Sequence, residues 1–402
     1  MSARLLLFTG KGGVGKTTLA AATAAALAAG GRKALVVSTD PAHSLGDALG
    51  VPLSADVTEV DGAGAFAGLH AAQVDPRALV DDAWRDLRGH LRTVLAGAGV
   101  DELDAEELTV LPGVEELLAL SEVRRLASDG PWDVVVVDCG PTAETLRLLA
   151  LPEAFASYLE RLFPTHRRVV RGLLAGVAGS GTVEKWDATA DALGRLAENL
   201  EQLRVLLTSR ATSVRLVLTP ERVVAAETRR TVTALALQGI RVDGVVANRV
   251  VPHPGAEGGP AATWLRTRRA EQDAVLAELA DLGSVRTVEH RAAEPVGTAA
   301  LLDVADGLYQ GRDPLEGTSA DGPLLEVVRS GEREYTLRMA LPIGDSDLDL
   351  ARVGDDLAVT VDGRRRLVAL PSLLKRCLVT GAELDDTGLA VRFAPDPDLW
   401  MR

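Results

Sequence analysis

The chain is poor in cysteine, lysine and methionine. Its two cysteines, Cys139 and Cys377, stand far apart and outside any CxxC spacing. This argues against a disulfide scaffold or a cysteine-held zinc and fits a reducing compartment, so a cytoplasmic location is expected. Nothing approaches the roughly eighteen consecutive apolar residues of a membrane-crossing helix, so no integral membrane segment is expected. Met1 to Phe8 carries one basic residue and runs straight into an apolar stretch, which is not the build of a signal peptide. An extended basic run is missing as well, and the net charge is −14. Nucleic acid is therefore disfavoured as the main ligand, because such binding is built on Lys and Arg neutralising phosphates. What is present is length: 402 residues exceed one ordinary domain. A unit of about 300 residues buries roughly 75% of its unfolded surface, so a large core is available.

The scarce lysines are not scattered. Of five in the chain, Lys11 and Lys16 fall in one stretch, Gly10-Lys11-Gly12-Gly13-Val14-Gly15-Lys16-Thr17-Thr18. The apolar run Leu5 to Phe8 before it reads as a strand, and the alanine-rich Leu19 to Ala29 after it reads as a helix. A strand, a glycine loop of the GxxxxGK[ST] form and a helix make a phosphate site. Gly10, Gly12, Gly13 and Gly15 let successive N–H groups turn inward, and Val14 sits among them. The helix start adds its own N–H groups and dipole. Lys16 is placed to reach the β- and γ-phosphates, Thr17 to ligate Mg²⁺, and Thr18 to reach an α-phosphate oxygen. ATP and Mg²⁺ are thus the expected cofactors. An ordinary phosphate loop does not need Lys11, which is either a surface lysine or a second catalytic one.

Further strands end in carboxylates or amides. Ala34 to Val37 runs into Ser38-Thr39-Asp40-Pro41-Ala42-His43-Ser44, and Pro41 keeps Asp40 out of helical conformation. The stretch reads either as a turn capping the next helix or as a carboxylate aimed at a ligand at the sheet edge. Another short strand is expected from Phe66 to Val74, then a helical pattern from Arg77 to about Leu95. The acidic cluster Asp101 to Glu107 reads as a solvated turn, since it lacks the glycine and spacing of a calcium loop. A helix follows from Leu111-Pro112-Gly113 to Leu126. Trp132 to Asp138 holds four consecutive valines without alternation, which implies burial on both faces at the centre of a parallel sheet. Asp138 at its end is the expected partner of Mg²⁺. Residues 151–210 read as a helical subregion. The alternation of strands and helices resumes from Ser213, with Arg241 to Ala247 a strand ending in Asn248, and closes with a helix to Leu308.

Gly311 to Gly322 breaks the pattern as a linker, and beyond it apolar residues recur every second position. Tyr335, Leu337, Met339, Leu341 and Ile343 are one such run. Leu357, Val359 and Val361 before Asp362-Gly363 are another, and Leu389, Val391 and Phe393 a third. The expected architecture is an α/β P-loop domain over 1–310 with a mostly parallel sheet, a linker over 311–323, and a small all-β sandwich over 324–402.

GKGGVGKTT resembles the deviant Walker A loop of dimeric partition, septum-placement and arsenical-pump ATPases. STDPAHS resembles switch I of the arsenite-translocating ATPase (ArsA) family, which includes the guided-entry factors for tail-anchored membrane proteins. Pro141, Thr142, Thr145, Leu146 and Arg147 keep the family's Walker B continuation, with Cys139 in place of a hydroxyl residue. The resemblance implies a homodimer in which Lys11 crosses to the partner's phosphates, an effect worth roughly 10³ to 10⁵ in rate. It implies Asp40 as the residue that positions or deprotonates the attacking water, Asn248 as an adenine reader, and a client protein or membrane-transport partner. Asn248 as a simple turn former is the other reading. Ser44 stands where guided-entry members usually have Asn. The apolar stretch Leu159 to Val177 corresponds to the region that builds a client groove there, although ordinary helix packing accounts for it as well. The segment after residue 324 resembles the alpha-crystallin-like domain appended to some bacterial members. A tandem second loop, the arsenical-pump cysteine site and the guided-entry zinc CxxC have no counterpart in the sequence. A partition or septum-placement ATPase and a nucleotide-gated holdase are the alternatives.

Overall fold

The computed structural model describes residues 3–42, 44–60, 68–76, 78–79, 114–140, 198–199, 201–256, 258–316, 325–340, 348–361, 363–385 and 388–400. His43, the acidic cluster 101–107, the Walker B continuation 141–147, the stretch 159–177 and most of the helical subregion lie outside them. Contacts divide the chain into two compact units. One is Met1–Ala211 with Ala293–Pro314, and the other Thr212–Ala292 with Leu315–Arg402.

The first unit opens with β1 (Arg4–Gly10), α1 (Lys16–Ala29), β2 (Ala34–Ser38) and α2 (Ser44–Leu49). It continues with β3 (Thr58–Glu59), β4 (Leu69–Gln73), α3 (Val114–Asp129) and β5 (Val134–Asp138). The strands lie in the order β3-β4-β2-β5-β1. All pairings are parallel except the two-residue β3 against β4. The valine strand β5 is flanked by β2 and β1, and every residue in it is buried. Its lack of alternation thus has the expected cause, burial on both faces. On one of them α1 buries Ala20, Ala21, Ala22, Ala24 and Ala25 completely, because methyl-sized side chains let the helix approach the strands closely.

The second unit carries β6 (Thr212–Leu218), α4 (Arg222–Leu237), β7 (Val242–Val250), α5 (Pro260–Glu278) and β8 (Val285–Glu289). Its strands run parallel in the order β6-β7-β8. The last helix of the α/β pattern, α6 (Thr298–Tyr309), returns to the first unit. There the Thr23 hydroxyl of α1 sits 2.6 Å from the Tyr309 hydroxyl, so the two helices share a buried polar pin.

Among the described residues, the strand pairings of the C-terminal part are all antiparallel. It comprises β9 (Leu325–Arg329), β10 (Tyr335–Met339), β11 (Leu348–Val353), β12 (Asp356–Val361) and β13 (Arg364–Ala369). β14 (Cys377–Asp385), β15 (Gly388–Pro395) and the short α7 (Pro397–Trp400) complete it. Two sheets, β14-β15-β10-β9 and β11-β12-β13, share one apolar core. Leu337, Met339, Leu357, Val359, Val361, Leu389, Val391 and Phe393 fill it, the residues that the period of two places on one face. Leu237, at the end of α4, is buried in the same core.

Candidate functional site

Strand register assembles the candidate site. Ser38 pairs with Gln73 on β4 and with Asp138 on β5, and Asp138 pairs with Phe8 on β1. Four strand ends therefore stand level at the carboxyl edge of the first unit, where open α/β sheets bind ligands. β1 runs on into the glycine loop. Gly13 (φ 74°) and Gly15 (φ 93°) occupy the left-handed region that a Cβ disfavours, and they fold the loop back onto the start of α1. No side chain caps that start and no acidic residue stands in the first turn. The positive end of α1 is left for an anion.

The side chains converge below the loop. Lys16 is 5% exposed, and its Nζ donates to the Lys11 carbonyl at 3.0 Å, so the ammonium is held within the loop. Thr17 Oγ1 donates to Asp138 Oδ2 at 2.7 Å and lies 3.0 Å from Ser44 Oγ. Having spent its one hydrogen on Asp138, Thr17 accepts from Ser44. Ser38 Oγ donates to the same Asp138 oxygen at 3.0 Å and accepts the Asp40 N–H at 3.2 Å. Ser38 thus bridges the two carboxylate-bearing strand ends. Asp40 Oδ1 accepts the Ala42 N–H at 3.0 Å, and the Asp40 carbonyl accepts Gln73 Nε2 at 2.9 Å. Lys11, Gly12 and Gly13 are exposed, Val14 is buried, and Thr18 and Asp40 are half-buried.

Burial pushes the Asp138 carboxyl up to about 6, against the pull of the Thr17 and Ser38 hydroxyls and Lys16, with Asp40 adding to the rise. Its Oδ1 is buried without a partner among the described residues. A buried, unpartnered carboxylate oxygen beside two hydroxyls is a hard donor set, which fits Mg²⁺, an ion held by one or two carboxylates together with phosphate oxygens. Cys139 is buried, and burial pushes its thiol up to about 12, so it is inert as a nucleophile.

Sequence reading named the glycine loop, Asp40 and Asp138, and the fold brings these together. It did not assign Ser38 or Gln73 a part in the constellation, and it marked Ser44 only as a departure from the guided-entry pattern. Ser38 and Ser44 were signalled by the switch-like stretch that contains them, and Gln73 only by its place near the end of an apolar run. Asn248 belongs to the second unit. The expected strand end at Ala247 is corrected: β7 continues to Val250, with its pairing to β8 shifting register between Ala247 and Val250. Arg249 takes φ 56° at this irregularity, and Asn248 Oδ1 accepts the Arg249 N–H at 2.9 Å. The segment is held by α5. Gln272 donates to the Arg249 carbonyl and accepts the Val251 N–H, and Arg269 donates to the Val251 carbonyl.

Comparison with known proteins bears on the family. Residues 3–310 match the ArsA ATPase family, described as anion-transporting ATPase, and residues 332–393 match the HSP20-like domain found in ArsA. Protein Rv2184c of Mycobacterium tuberculosis is 41% identical over 423 residues, spanning 99% of this chain and 97% of its own. A "Putative arsenical pump-driving ATPase" of Chlorobaculum tepidum is 34% identical over 394 residues, spanning 95% of this chain and 93% of its own. ATPase get3 of Neurospora crassa is 31% identical over 268 residues, 64% of this chain and 76% of its own. On the P-loop fold, its level row of strand ends and these matches, the chain belongs to the ArsA family of ATPases and carries an HSP20-like, alpha-crystallin-like domain after its ATPase region.

Proposed function

We propose that this chain is a Mg²⁺-dependent ATP hydrolase that works as a homodimeric switch in the cytoplasm, with turnover coupled to a client protein or membrane-transport partner. The ATPase domain spans 1–310, 311–323 is the linker, and 324–402 is a binding or assembly module. The observation that carries the reading is the polar chain from Thr17 through Asp138 and Ser38 to Asp40 at the foot of the glycine loop. Thr17 and Asp138 would hold Mg²⁺, which supplies charge neutralisation on the phosphates when bound. Gly10, Gly12, Gly13, Val14, Gly15 and Thr18 cradle the phosphates, and Lys16 exchanges the Lys11 carbonyl for phosphate oxygens. Asp40 orients the attacking water and accepts its proton, Asn248 reads adenine, and Lys11 serves the partner's phosphates. No helix among the described residues is long and apolar enough to cross a membrane. The match to an HSP20-like domain favours one second reading, a nucleotide-gated holdase in which residues 324–402 bind unfolded segments.

The test is Asp40→Asn, which keeps the shape of the turn and removes the base. ATP affinity should stay within about threefold while turnover falls at least about 100-fold, the scale of a general base. Undiminished turnover in a filter-bound phosphate-release assay would refute the assignment.

A further inference from the structure

Gln73 closes β4 beside the switch turn and is 3% exposed. Its backbone is committed to the sheet: it pairs with Ser38, and its N–H donates to the Ser54 carbonyl at 2.8 Å. Its side chain is committed to the turn. Nε2 donates to the Asp40 carbonyl at 2.9 Å and makes a longer contact, 3.4 Å, with the Val74 carbonyl. An amide nitrogen carries two hydrogens, so both carbonyls can be served at once. Oε1, by contrast, is buried without a partner among the described residues. A buried acceptor left so is destabilising, and a methionine of similar length would fill the space without that cost. What the glutamine offers in exchange is its reach to Asp40.

The effect of that reach is geometric. Pro41 confines Asp40 to extended conformations but leaves a broad range of ψ. The direction of the Asp40 carbonyl defines ψ, and Gln73 is what holds that carbonyl, while Ser38 Oγ holds the N–H of the same residue. With the N–H anchored to the end of its own strand and the carbonyl to the end of β4, the carboxylate has only its own side-chain rotations left, and its Oδ1 takes the Ala42 N–H. We propose that Gln73 is a positioning residue for hydrolysis, one that sets the Asp40 carboxylate by fixing the peptide between Asp40 and Pro41. The assignment rests on the reading of Asp40 given under the proposed function. It concerns turnover and not nucleotide binding, because Gln73 contacts neither the glycine loop nor Asp138 among its described partners.

The test uses the full chain as parent, Gln73→Met and Gln73→Asn. Methionine keeps the length and removes the donor; asparagine keeps the amide but is one methylene short of the Asp40 carbonyl. Four quantities are read: turnover at saturating Mg-ATP, affinity for a fluorescent ATP analogue, melting temperature, and amide exchange of the peptide 39–45. Both variants should lose about 10- to 100-fold in turnover, as misplacing a catalytic group by about 1 Å does, with affinity within about threefold of the parent. Exchange across 39–45 should rise in the ligand-free protein while the melting temperature stays within a few degrees. Asparagine guards against methionine failing to fold, since either variant alone suffices. Parent-level turnover in a folded variant overturns the assignment and leaves the role of Asp40 standing. A loss of turnover that tracks a fall in melting temperature and a chain-wide rise in exchange overturns it as well, by reducing Gln73 to a structural residue. A parent that neither binds nor hydrolyses ATP overturns the functional reading, and this assignment with it.

Discussion

Asp138 shows how a single residue stores a conflict for later use. It sits on a fully buried strand, where water does not solvate its charge, yet two hydroxyls and Lys16 favour the charged form. Burial wins, and the carboxyl titrates near 6 instead of its ordinary value near 4. A carboxyl raised in the fold prefers its proton there more than in the unfolded chain, so its contribution to stability falls as pH rises from about 4 to about 6. Above that the full penalty, on the order of 3 kcal/mol, is present. Asp138→Asn should therefore stabilise the ligand-free protein at pH 7.5 by up to that amount, and the gain should shrink steadily toward pH 4. Urea midpoints measured across this range check it. A difference between variant and parent that is flat with pH would show that Asp138 does not titrate in this window. The same substitution removes the charge expected to face Mg²⁺, so magnesium should cease to tighten ATP binding.

At the scale of elements, legibility depended on whether a signal was local. The glycine loop, the valine strand β5 and the alternating strands β10, β12 and β15 announce themselves within a few residues, because each reports its own burial or backbone geometry. The row made by Gln73, Ser38 and Asp138 was not legible. It depends on β2 lying between β4 and β5, which are separated from it by long stretches of chain. The irregularity after Ala247 escaped for a related reason: an Asn-Arg pair gives no warning that a strand will continue beyond it. Arg215 is the sharpest case. Nothing in Ser213-Val214-Arg215-Leu216 names its partner, yet it is fully buried and paired with Asp243 on β7 at 2.9 Å, with Ser213 bonding the same carboxylate. Breaking such a pair from one side leaves a buried charge, so Arg215→Met should cost about 3–5 kcal/mol. Adding Asp243→Leu should recover most of that, since an apolar pair of similar volume is often neutral or better. Denaturant unfolding of the two singles and the double forms the cycle, and purely additive losses would show that the two strands do not depend on this pair.

For the whole molecule, the question is whether one chain makes a complete site. Lys16 alone is drawn into the loop, its ammonium on the carbonyl of Lys11, whereas Lys11 itself stands on the exposed rim. A lysine on the rim of a phosphate loop, in a chain with five lysines in all, has a role if a second copy brings its own loop face to face with the first. In that two-fold arrangement each Lys11 serves the partner's phosphates, while each Asp40 serves its own. Lys11→Met should then bind ATP normally and lose roughly 10³-fold or more in turnover, as removal of a charge supplied in trans does elsewhere. The decisive measurement mixes two dead proteins. A Lys11→Met chain retains a sound pocket and lacks the lysine it lends, and an Asp40→Asn chain lends the lysine and lacks the base. In a mixed dimer the first pocket is whole again and the second is not. With random exchange half the dimers are mixed, so an equal mixture should regain about a quarter of the parental turnover per chain. If Lys11 acted within its own pocket, each variant would remain dead in every pairing, and the mixture would be as inactive as its parts.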